Sequence, residues 1–434
     1  MYITKDFKGK ILLGDFDETF QRLYGKRAVL QARQRYVDAV NEFERVFDQH
    51  RTVRVFSAPG RSELGGNHTD HQQGHVLAAA VELDILAMAS ENGEQVVRIK
   101  SDDLPMITVN IDELWMHDGE EGTSEALVRG IAARFRQLGY QIGGFNATMT
   151  SQVLKGSGLS SSAAFEVLVG EIFNGMFNGG KVSSVELAKI GQFSENHFFK
   201  KACGLMDQMA SAVGGCVALN FADPEQVKIE KIPCDLAALG YRLCIVDTKG
   251  DHADLTPDYV AVREEMQQVA AFFGKEVLRQ VEPREFFQNM GQLRRAVSDR
   301  AILRAMHFFH DDVWAQQEAV ALRQKDIGMF LELVKKSGQS SICCLQNIYS
   351  SAHPASQGIM LGLMMSEKIL GDQGAWRVHG GGFAGTMQCY VPLDQVETYC
   401  ETMNKVFGEG SCYVLDIRNI GALEILEQIK EEGE

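Results

Sequence analysis

One short stretch, residues 154–166, constrains the fold more than any other part of the sequence. It reads LKGSGLSSSAAFE, and after it apolar residues recur at i, i+3 and i+4 spacing from Phe165 to Phe177. That spacing predicts a helix that begins near the serines. The preceding segment, 145–153, alternates polar and apolar residues and predicts a strand.

A strand, a glycine-rich turn and a helix N-terminus together make a site for an anion. Backbone N–H groups can approach phosphate oxygens where glycine has no side chain, and the helix dipole favours negative charge there. The commoner phosphate loop, Gly-x-x-x-x-Gly-Lys-Ser/Thr, is excluded because no lysine follows Gly158. An ordinary serine-capped helix after a glycine turn is the alternative, and this stretch alone does not separate the two.

Composition limits the classes of partner. The 434 residues, 45% of them hydrophobic, can bury a large core, and the length favours two domains. A net charge of −15 argues against nucleic acid or an anionic membrane surface as the main partner. The nine cysteines lack Cys-x-x-Cys spacing and are typical of reduced thiols. Because no apolar stretch approaches the ~18 residues of a membrane span, we expect a cytoplasmic protein, monomeric or weakly homo-oligomeric.

A second dense stretch, residues 59–74, reads PGRSELGGNHTDHQQG and lies between two apolar segments predicted as strands. One interpretation is a metal site made by His68, His71 and His75. The other is a polar pocket for a hydroxyl-rich small molecule, since Arg, His, Asp and Asn supply paired donors and acceptors. The glycines leave nothing to hold three imidazole rings in place, which favours the pocket.

A third stretch, residues 203–213, reads CGLMDQMASAV and contains an acid inside an apolar run. Asp207 follows Leu205 and Met206, and a charge in such surroundings is costly unless it is paired or functional. The alternative is an Asp that caps a helix after Gly204.

The remaining pattern predicts alternating helices and strands. Residues 1–50 are interpreted as a helical packing arm, and residues 283–346 as helical with breaks near Asp299 and Gly338. Other predicted helices cover 122–138, capped by Thr123 or Ser124, and 182–201, 259–273 and 394–407, with a short helical tail. Predicted strands lie within 95–110 and at 241–248, 386–391 and 412–417. The domain boundary is expected near 215–240, giving domains 1–220 and 221–434, although the last strand could return to the first domain.

Four motifs occur in a fixed order: PGRSELGGNHTDH, GSGLSSSAA, CGLMDQ and HGGGFAG. Together they resemble the galactokinase branch of the GHMP small-molecule kinases, over about residues 20 to 425. The resemblance implies an α+β fold in which two domains with mixed sheets flank a cleft. It also implies ATP-dependent phosphorylation of the anomeric hydroxyl of a sugar, with galactose, giving galactose 1-phosphate, as the first candidate.

The resemblance also assigns roles position by position. Asp207 matches the catalytic aspartate, and Arg61 matches the arginine beside it. Ser162 and Glu195 match the two Mg²⁺ ligands. The residues of the sugar-binding set are Glu63, Asn67, His68, Asp70, Gly204 and Tyr259. The residues that match the ATP phosphate loop are Gly156, Ser157, Gly158, Leu159, Ser160, Ser161 and Ser162, and those of the third motif are Gly380, Gly381 and Gly382.

Physical chemistry agrees with these roles. Phosphoryl transfer has a loose transition state, so catalysis is mostly positioning and charge neutralisation. Arg61 beside Asp207 would lower the pKa of Asp207 and keep it ionised. A weak base orients the attacking hydroxyl better than it removes the proton.

The chain departs from the usual galactokinase motifs mainly where the sugar is recognised. The first motif normally reads G-R-x-N-x-I-G-E-H-x-D-Y. The departures are Glu63 for Asn, Gly65 for Ile, Asn67 for Glu, His71 for Tyr, Leu154 for Pro, His379 for Thr and Ala384 for Gly. We therefore expect weak galactose turnover, and an amino sugar or uronic acid is the alternative substrate. A sugar sensor without turnover is a further alternative, but the complete GLSSSAA loop favours catalysis.

Overall fold

The computed structural model describes residues 2–47, 51–153, 158–201, 203–223, 226–250 and 255–428. The strands are β1 (Tyr2–Ile3), β2 (Thr52–Gly65), β3 (His75–Glu91), β4 (Val96–Ser101), β5 (Ile107–Asn110), β6 (Phe145–Ser151), β7 (Cys216–Asn220), β8 (Lys228–Ile232), β9 (Tyr241–Asp247), β10 (Ala375–Val378), β11 (Thr386–Pro392), β12 (Cys412–Leu415) and β13 (Leu423–Glu424). The helices are α1 (Thr4–Leu13), α2 (Asp17–Tyr24), α3 (Val29–Phe47), α4 (Ser124–Gln137), α5 (Ser161–Asn178), α6 (Ser184–Ser194), α7 (Met206–Val213), α8 (Thr256–Phe272), α9 (Pro283–Gln288), α10 (Met290–Ala296), α11 (Asp299–Gln324), α12 (Ile327–Ser340), α13 (Gly358–Leu370) and α14 (Val396–Phe407).

The antiparallel hairpin of β2 and β3 organises the larger sheet. Within the described residues this sheet runs β1-β2-β3-β6-β4-β5, with β13 on β2 and with β7 and β8 branching from β3. The start of β3 pairs with β7 and its end with β6, so one long strand serves two neighbours. Only the β4–β6 pair is parallel among these described pairings, which makes the sheet mixed.

The smaller sheet runs β10-β11-β9-β12 and is antiparallel throughout its described pairs. One hydrophobic core joins the two sheets, because Leu243 and Tyr390 of the smaller sheet belong to the same buried cluster as Val81 and Ala87 of β3. The predicted α+β class is confirmed, and the larger sheet is mixed as predicted, whereas the smaller sheet is antiparallel in its described pairs. The first sheet continues to Ile232 and takes back β13, so the assignment of 1–220 and 221–434 as domains stays a prediction.

The N-terminal helices α1 to α3 form a packing arm, as predicted. Phe20, Tyr36, Val40 and Phe43 are fully buried in a cluster that covers the outer side of β2 and β3. The spacing of Tyr36, Val40 and Phe43 gives α3 one apolar face, which packs on this cluster.

The structure extends the strand predicted before residue 59 into the dense stretch of residues 59–74. β2 continues to Gly65, and Arg61 and Glu63 are paired across to Ala80 and Ala78 of β3. In the sequence, a run of polar residues indicates a loop, although these side chains are buried on a strand. Here they face partners that are distant along the chain, and β-bulge irregularities at Pro59/Arg61 and Glu63/Gly65 redirect them.

Other predicted boundaries were wrong in ways that packing explains. Gly338 does not break a helix but lies within α12, where a Cβ would come 2.8 Å from the Trp376 carbonyl oxygen of β10. The helix predicted at 182–201 ends at Ser194 and continues as a π-helical turn, Glu195–Phe199. The part of the predicted helical tail that the structure describes, up to residue 428, contains the short strand β13 and no helix. The predicted last strand, 412–417, pairs with β9 through β12, and its end returns to the larger sheet, where Ile417 forms an antiparallel bridge to Val81 of β3. None of the described helices combines the length and apolar character of a membrane span.

Candidate active site

The serine-rich stretch forms a turn that leads into α5, as the sequence predicted. Gly158 and Ser160 have left-handed backbone angles (φ +73° and +53°), and α5 begins at Ser161. A Cβ at Gly158 would lie 2.7 Å from both His379 Nδ1 and Thr386 Oγ1, so this turn presses against the third motif. Gly156 and Ser157, the first half of the proposed phosphate loop, lie outside the described residues.

Arg61 and Asp207 form the central ion pair of the site. Arg61 Nε donates to Asp207 Oδ1 at 2.7 Å, and Nη2 donates to Oδ2 at 2.8 Å. Arg61 also donates to the Gly158 carbonyl oxygen, and its backbone N–H donates to Leu159 O at 3.0 Å. The bidentate pair therefore ties β2, the serine turn and the first turn of α7 into one unit.

Asp207 is held ionised and remains accessible. Burial opposes ionisation, but the Arg61 charge with its hydrogen bonds, and the hydroxyl of Ser160, outweigh burial and lower the pKa of Asp207. Its side chain is 29% exposed, whereas that of Arg61 is 8% exposed. Part of the Asp207 side chain is thus accessible to solvent, while its counter-ion is buried.

Asp70 and Gly204 lie against each other at the edge of this unit. A Cβ at Gly204 would come 2.0 Å from Asp70 Oδ2, so the backbone of residue 204 and the carboxylate of Asp70 need a glycine to be so close. Burial raises the pKa of Asp70 to about 6, with the Asp207 charge adding to the effect and Arg61 opposing it. Two carboxylates of different basicity therefore border one space.

Carbonyl oxygens of the third motif form hydrogen bonds with His68 of the first motif and with Tyr259 of α8. Gly381 O lies 3.0 Å from His68 Nε2, and Tyr259 donates to Gly382 O at 3.0 Å. A Cβ at Gly381 would lie 2.5 Å from the Tyr259 ring, which explains the glycine there. Burial lowers the pKa of His68 to about 4, so its ring is neutral at pH 7.

Glu63 and Asn67 converge on each other beneath these groups. Asn67 Nδ2 donates to Glu63 Oε1 at 2.9 Å and to Gly380 O at 2.7 Å, and its Oδ1 accepts from Asn347 at 2.9 Å. Glu63 also accepts from the fully buried Arg377 at 2.6 Å. Both side chains are buried and bonded to protein groups, and direct contact of either with a sugar stays a prediction.

A second carboxylate cluster lies around Glu195. Gln208 Nε2 donates at 2.9 Å to both Glu195 Oε2 and Glu166 Oε2, and Lys201 Nζ lies 3.1 Å from Glu195 Oε1. Glu166 is 1% exposed and its other oxygen has no hydrogen-bond partner among the described residues. Burial, with the charge of Glu195, raises the pKa of Glu166 well above its ordinary value. Ser162, four residues before Glu166, lies on the same face of α5.

Sequence reasoning missed three residues of this candidate site, Glu166, Lys201 and Gln208 around Glu195. It named Ser160 as a phosphate-loop residue but did not predict its hydrogen bond to Asp207. For Glu166 a signal existed, since it is an acid on the apolar face of the helix that begins at Ser161. The histidine metal site is not formed. His68 and His71 are 3.4 Å apart through Nδ1 and Nε2, but His75 bonds instead to Asp312 at 3.0 Å.

Two family models match the chain. Residues 41–91 match the galactokinase galactose-binding signature, and residues 126–215 match the GHMP kinases N terminal domain. These ranges contain the first motif with Arg61 and Asp70, and the serine turn with Asp207. The two sets of residues that meet in the site are therefore the two that the family models recognise.

Curated relatives and solved structures agree with the family models. Galactokinase of Glaesserella parasuis serovar 5 is 29% identical over 361 residues, covering 82% of this chain and 89% of the relative. Galactokinase of Actinobacillus pleuropneumoniae serotype 3 is 29% identical over 366 residues, covering 83% and 90%.

Among solved structures, Lactococcus lactis galactokinase complexed with galactose superposes with a TM-score of 0.76 at 24% identity, covering 88% of this chain and 97% of that one. Mevalonate kinase of Methanococcus jannaschii superposes with a TM-score of 0.61 at 16% identity, covering 84% and 98%. At these identities the structures establish the fold, while the family models and curated relatives distinguish the branch. In its two family models, its curated relatives and its fold, this chain is similar to the galactokinases of the GHMP kinases.

Proposed function

We propose that this protein transfers the γ-phosphoryl group of ATP to the anomeric hydroxyl of a sugar, with galactose as the first candidate. The observation that carries the proposal is the Arg61–Asp207 pair beside the serine turn. It presents an ionised, partly exposed carboxylate next to a helix N-terminus with left-handed turn residues. An acceptor for a hydroxyl proton and an anion site thus adjoin each other.

The chain's own residues support a positioning mechanism. Asp207 accepts a hydrogen bond from the attacking hydroxyl and orients its lone pair towards the γ-phosphorus. A new sugar O–P bond forms as the bond from the γ-phosphorus to the ADP oxygen breaks, and the hydroxyl proton leaves through Asp207 to solvent. Because Arg61 lowers the pKa of Asp207, full proton removal comes late, after the hydroxyl has become acidic.

The donor set around Glu195 fits a magnesium ion. Glu166 and Glu195 are buried carboxylates that share one amide, and one oxygen of Glu166 has no partner among the described residues. Carboxylate and hydroxyl oxygens are the ligands that Mg²⁺ takes, so Glu195 and Ser162 would hold it, with the buried Glu166 carboxyl beside them. When bound, Mg²⁺ would neutralise charge on the phosphates of ATP. Lys201 Nζ lies 3.1 Å from Glu195 Oε1, on the same carboxylate.

The sugar is expected to lie among His68, Asp70, Gly204 and Tyr259. Asp70 lies against Gly204, and His68 and Tyr259 both bond to carbonyl oxygens of the third motif. Their polar groups are the donors and acceptors that hydroxyl recognition needs. Asp70 would accept from one hydroxyl, and the backbone beside it at Gly204 permits a close approach of the ring. The names of the curated relatives and the galactose-binding family model support galactose as the first candidate.

The Glu63–Asn67 pair supports an indirect role in choosing the sugar. Glu63 bonds to Arg377, and Asn67 bonds to the Gly380 carbonyl oxygen. The pair therefore fixes the position of the third motif relative to the first motif. Exchanging the two residues, Glu63→Asn with Asn67→Glu, would restore the usual carboxylate at position 67. It would also turn that carboxylate towards Gly380 O, which cannot donate a hydrogen bond.

A sugar panel tests the proposed function. The purified chain is incubated with ATP, Mg²⁺ and galactose, galactosamine, galacturonic acid or glucose, and both ADP release and the phosphorylated carbon are measured. Phosphorylation of galactose at its anomeric oxygen is the expected result. Preference for galactosamine or galacturonic acid would change the substrate and leave the reaction intact. Binding of a sugar without ADP release would instead favour a sensor.

A further inference from the structure

Three cysteine sulfurs meet in the smaller sheet, far along the sequence from one another. Cys244 lies on β9, Cys412 begins β12, and Cys400 lies on α14, which packs over these strands. Their sulfur atoms lie within 4.8 Å of one another, and Cys412 and Cys400 sulfurs are 3.1 Å apart. Among the described residues no other histidine, cysteine or acid joins the group.

The register of β12 against β9 places two of the three cysteines, Cys244 and Cys412, on the same face of the sheet. Val414 lies opposite Cys244 across the β9–β12 pair, and Cys412 lies two residues before it on the same face. That face packs against α14, and Asn404 of α14 accepts from the backbone N–H of Cys412 at 3.0 Å. Cys244 is buried, while Cys400 and Cys412 are partly exposed, so solvent reaches the cluster from one side.

We propose that Cys244, Cys400 and Cys412 form a binding site for one thiophilic metal ion such as Zn²⁺. Zinc–sulfur bonds of about 2.3 Å place tetrahedral thiolates roughly 3.8 Å apart, a spacing that small rotations of these side chains reach. Three thiolates are a donor set that selects soft or borderline ions over Mg²⁺. The partly exposed side leaves the fourth position to water.

Binding of the ion would release the proton of each thiol that becomes a ligand. The ion would bridge α14 to β9 and to β12, the edge strand of this sheet, and so would stabilise a part of the fold that lies apart from the Arg61–Asp207 pair.

The proposal is tested on the full chain, reduced with a phosphine and stripped of metal. Zn²⁺ is titrated against a chromophoric chelator, and Cd²⁺ is titrated to count thiolate ligands from the thiolate-to-cadmium absorption. Cys400→Ser is the test variant, since Cys400 is partly exposed and serine preserves its size. Cys343→Ser, at an exposed cysteine outside the cluster, is the matched control.

The expected result is one Zn²⁺ for each wild-type chain and for the Cys343→Ser variant, with three thiolates on Cd²⁺. Cys400→Ser should bind Zn²⁺ at least about 100-fold more weakly, because losing a ligand costs more than losing a residue that only orients one. Zn²⁺ should raise the Tm of the wild type and not that of Cys400→Ser. No zinc binding by the reduced wild type, or equal binding by Cys400→Ser, would overturn the proposal. A Cys400–Cys412 disulfide without zinc binding would show a redox pair in its place.

Discussion

The replacement of Asp207 by asparagine removes one charge at the centre of the site and changes little else. Asparagine has the same shape, so it can keep one of the two hydrogen bonds from Arg61 and the one from Ser160. What it loses is the anion that orients the sugar hydroxyl and accepts its proton. Since a positioned base contributes about 10²–10⁴-fold to turnover, kcat should fall by at least that factor.

The effect on stability should be smaller than the effect on turnover. Removing one partner of a fully buried ion pair costs about 3–5 kcal/mol, because the other charge stays buried. The Asp207 side chain is 29% exposed and asparagine keeps part of the bonding, so we expect about 1–2 kcal/mol. For a chain of this size that corresponds to a decrease in Tm of about 2–4 °C or less.

The assay measures ADP release with saturating sugar and ATP, together with calorimetric ATP affinity and Tm. Asp84→Asn is the matched control, because Asp84 also pairs with arginines but is fully buried and lies away from the site. That variant should lose roughly 3–5 kcal/mol of stability, so its Tm should fall further than the Tm of Asp207→Asn. Its kcat should stay unchanged at a temperature where the variant is folded.

Two results would refute the reasoning. A kcat for Asp207→Asn within tenfold of the wild type would remove Asp207 from the chemistry. Equal losses of kcat in the Asp207→Asn and Asp84→Asn variants would show that ion-pair loss, and not the position of the carboxylate, lowers turnover.

Asp70 should make sugar binding sensitive to pH. Because its pKa is about 6, Asp70 loses its negative charge as the pH falls through that value, and KM for the sugar should rise there. A KM that does not change with pH would contradict the assignment of Asp70 to the sugar site. Because this pKa is raised above the unfolded value of 3.8, ionisation of Asp70 should also lower the unfolding free energy of the sugar-free chain as pH rises from about 4 to 6, a slope that Asp70→Asn removes. Gly204→Ala should raise KM for the sugar about tenfold or more, since its Cβ would displace Asp70, whereas Gly9→Ala, with nothing within 4 Å, should leave KM unchanged. Glu195→Gln should raise the Mg²⁺ concentration needed for half-maximal turnover, and an unchanged requirement would exclude Glu195 as a ligand.

The sequence by itself determined the chemistry-bearing stretches and the local structure around them. Gly158 and the serines after it indicated a turn into a helix because small residues permit left-handed backbone angles and serines cap helices. The apolar spacing after Phe165 indicated the helix because period and burial are coupled. Asp207 stood out because a charge in an apolar run needs a partner.

Only the tertiary structure decided which groups pair with which. Arg61 is 146 residues from Asp207 along the chain, and the packing of α7 against β2, where Ser211 donates to the Pro59 carbonyl oxygen, is what brings the guanidinium to the carboxylate. Glu166 and Gln208 joined Glu195 only when α5, α6 and α7 packed together. The sequence did not predict that β2 extends through its polar residues, because a local hydrophobic pattern identifies strands by their apolar positions. A polar side chain can be buried in a strand when a residue far along the chain bonds to it, and only the tertiary structure shows that partner.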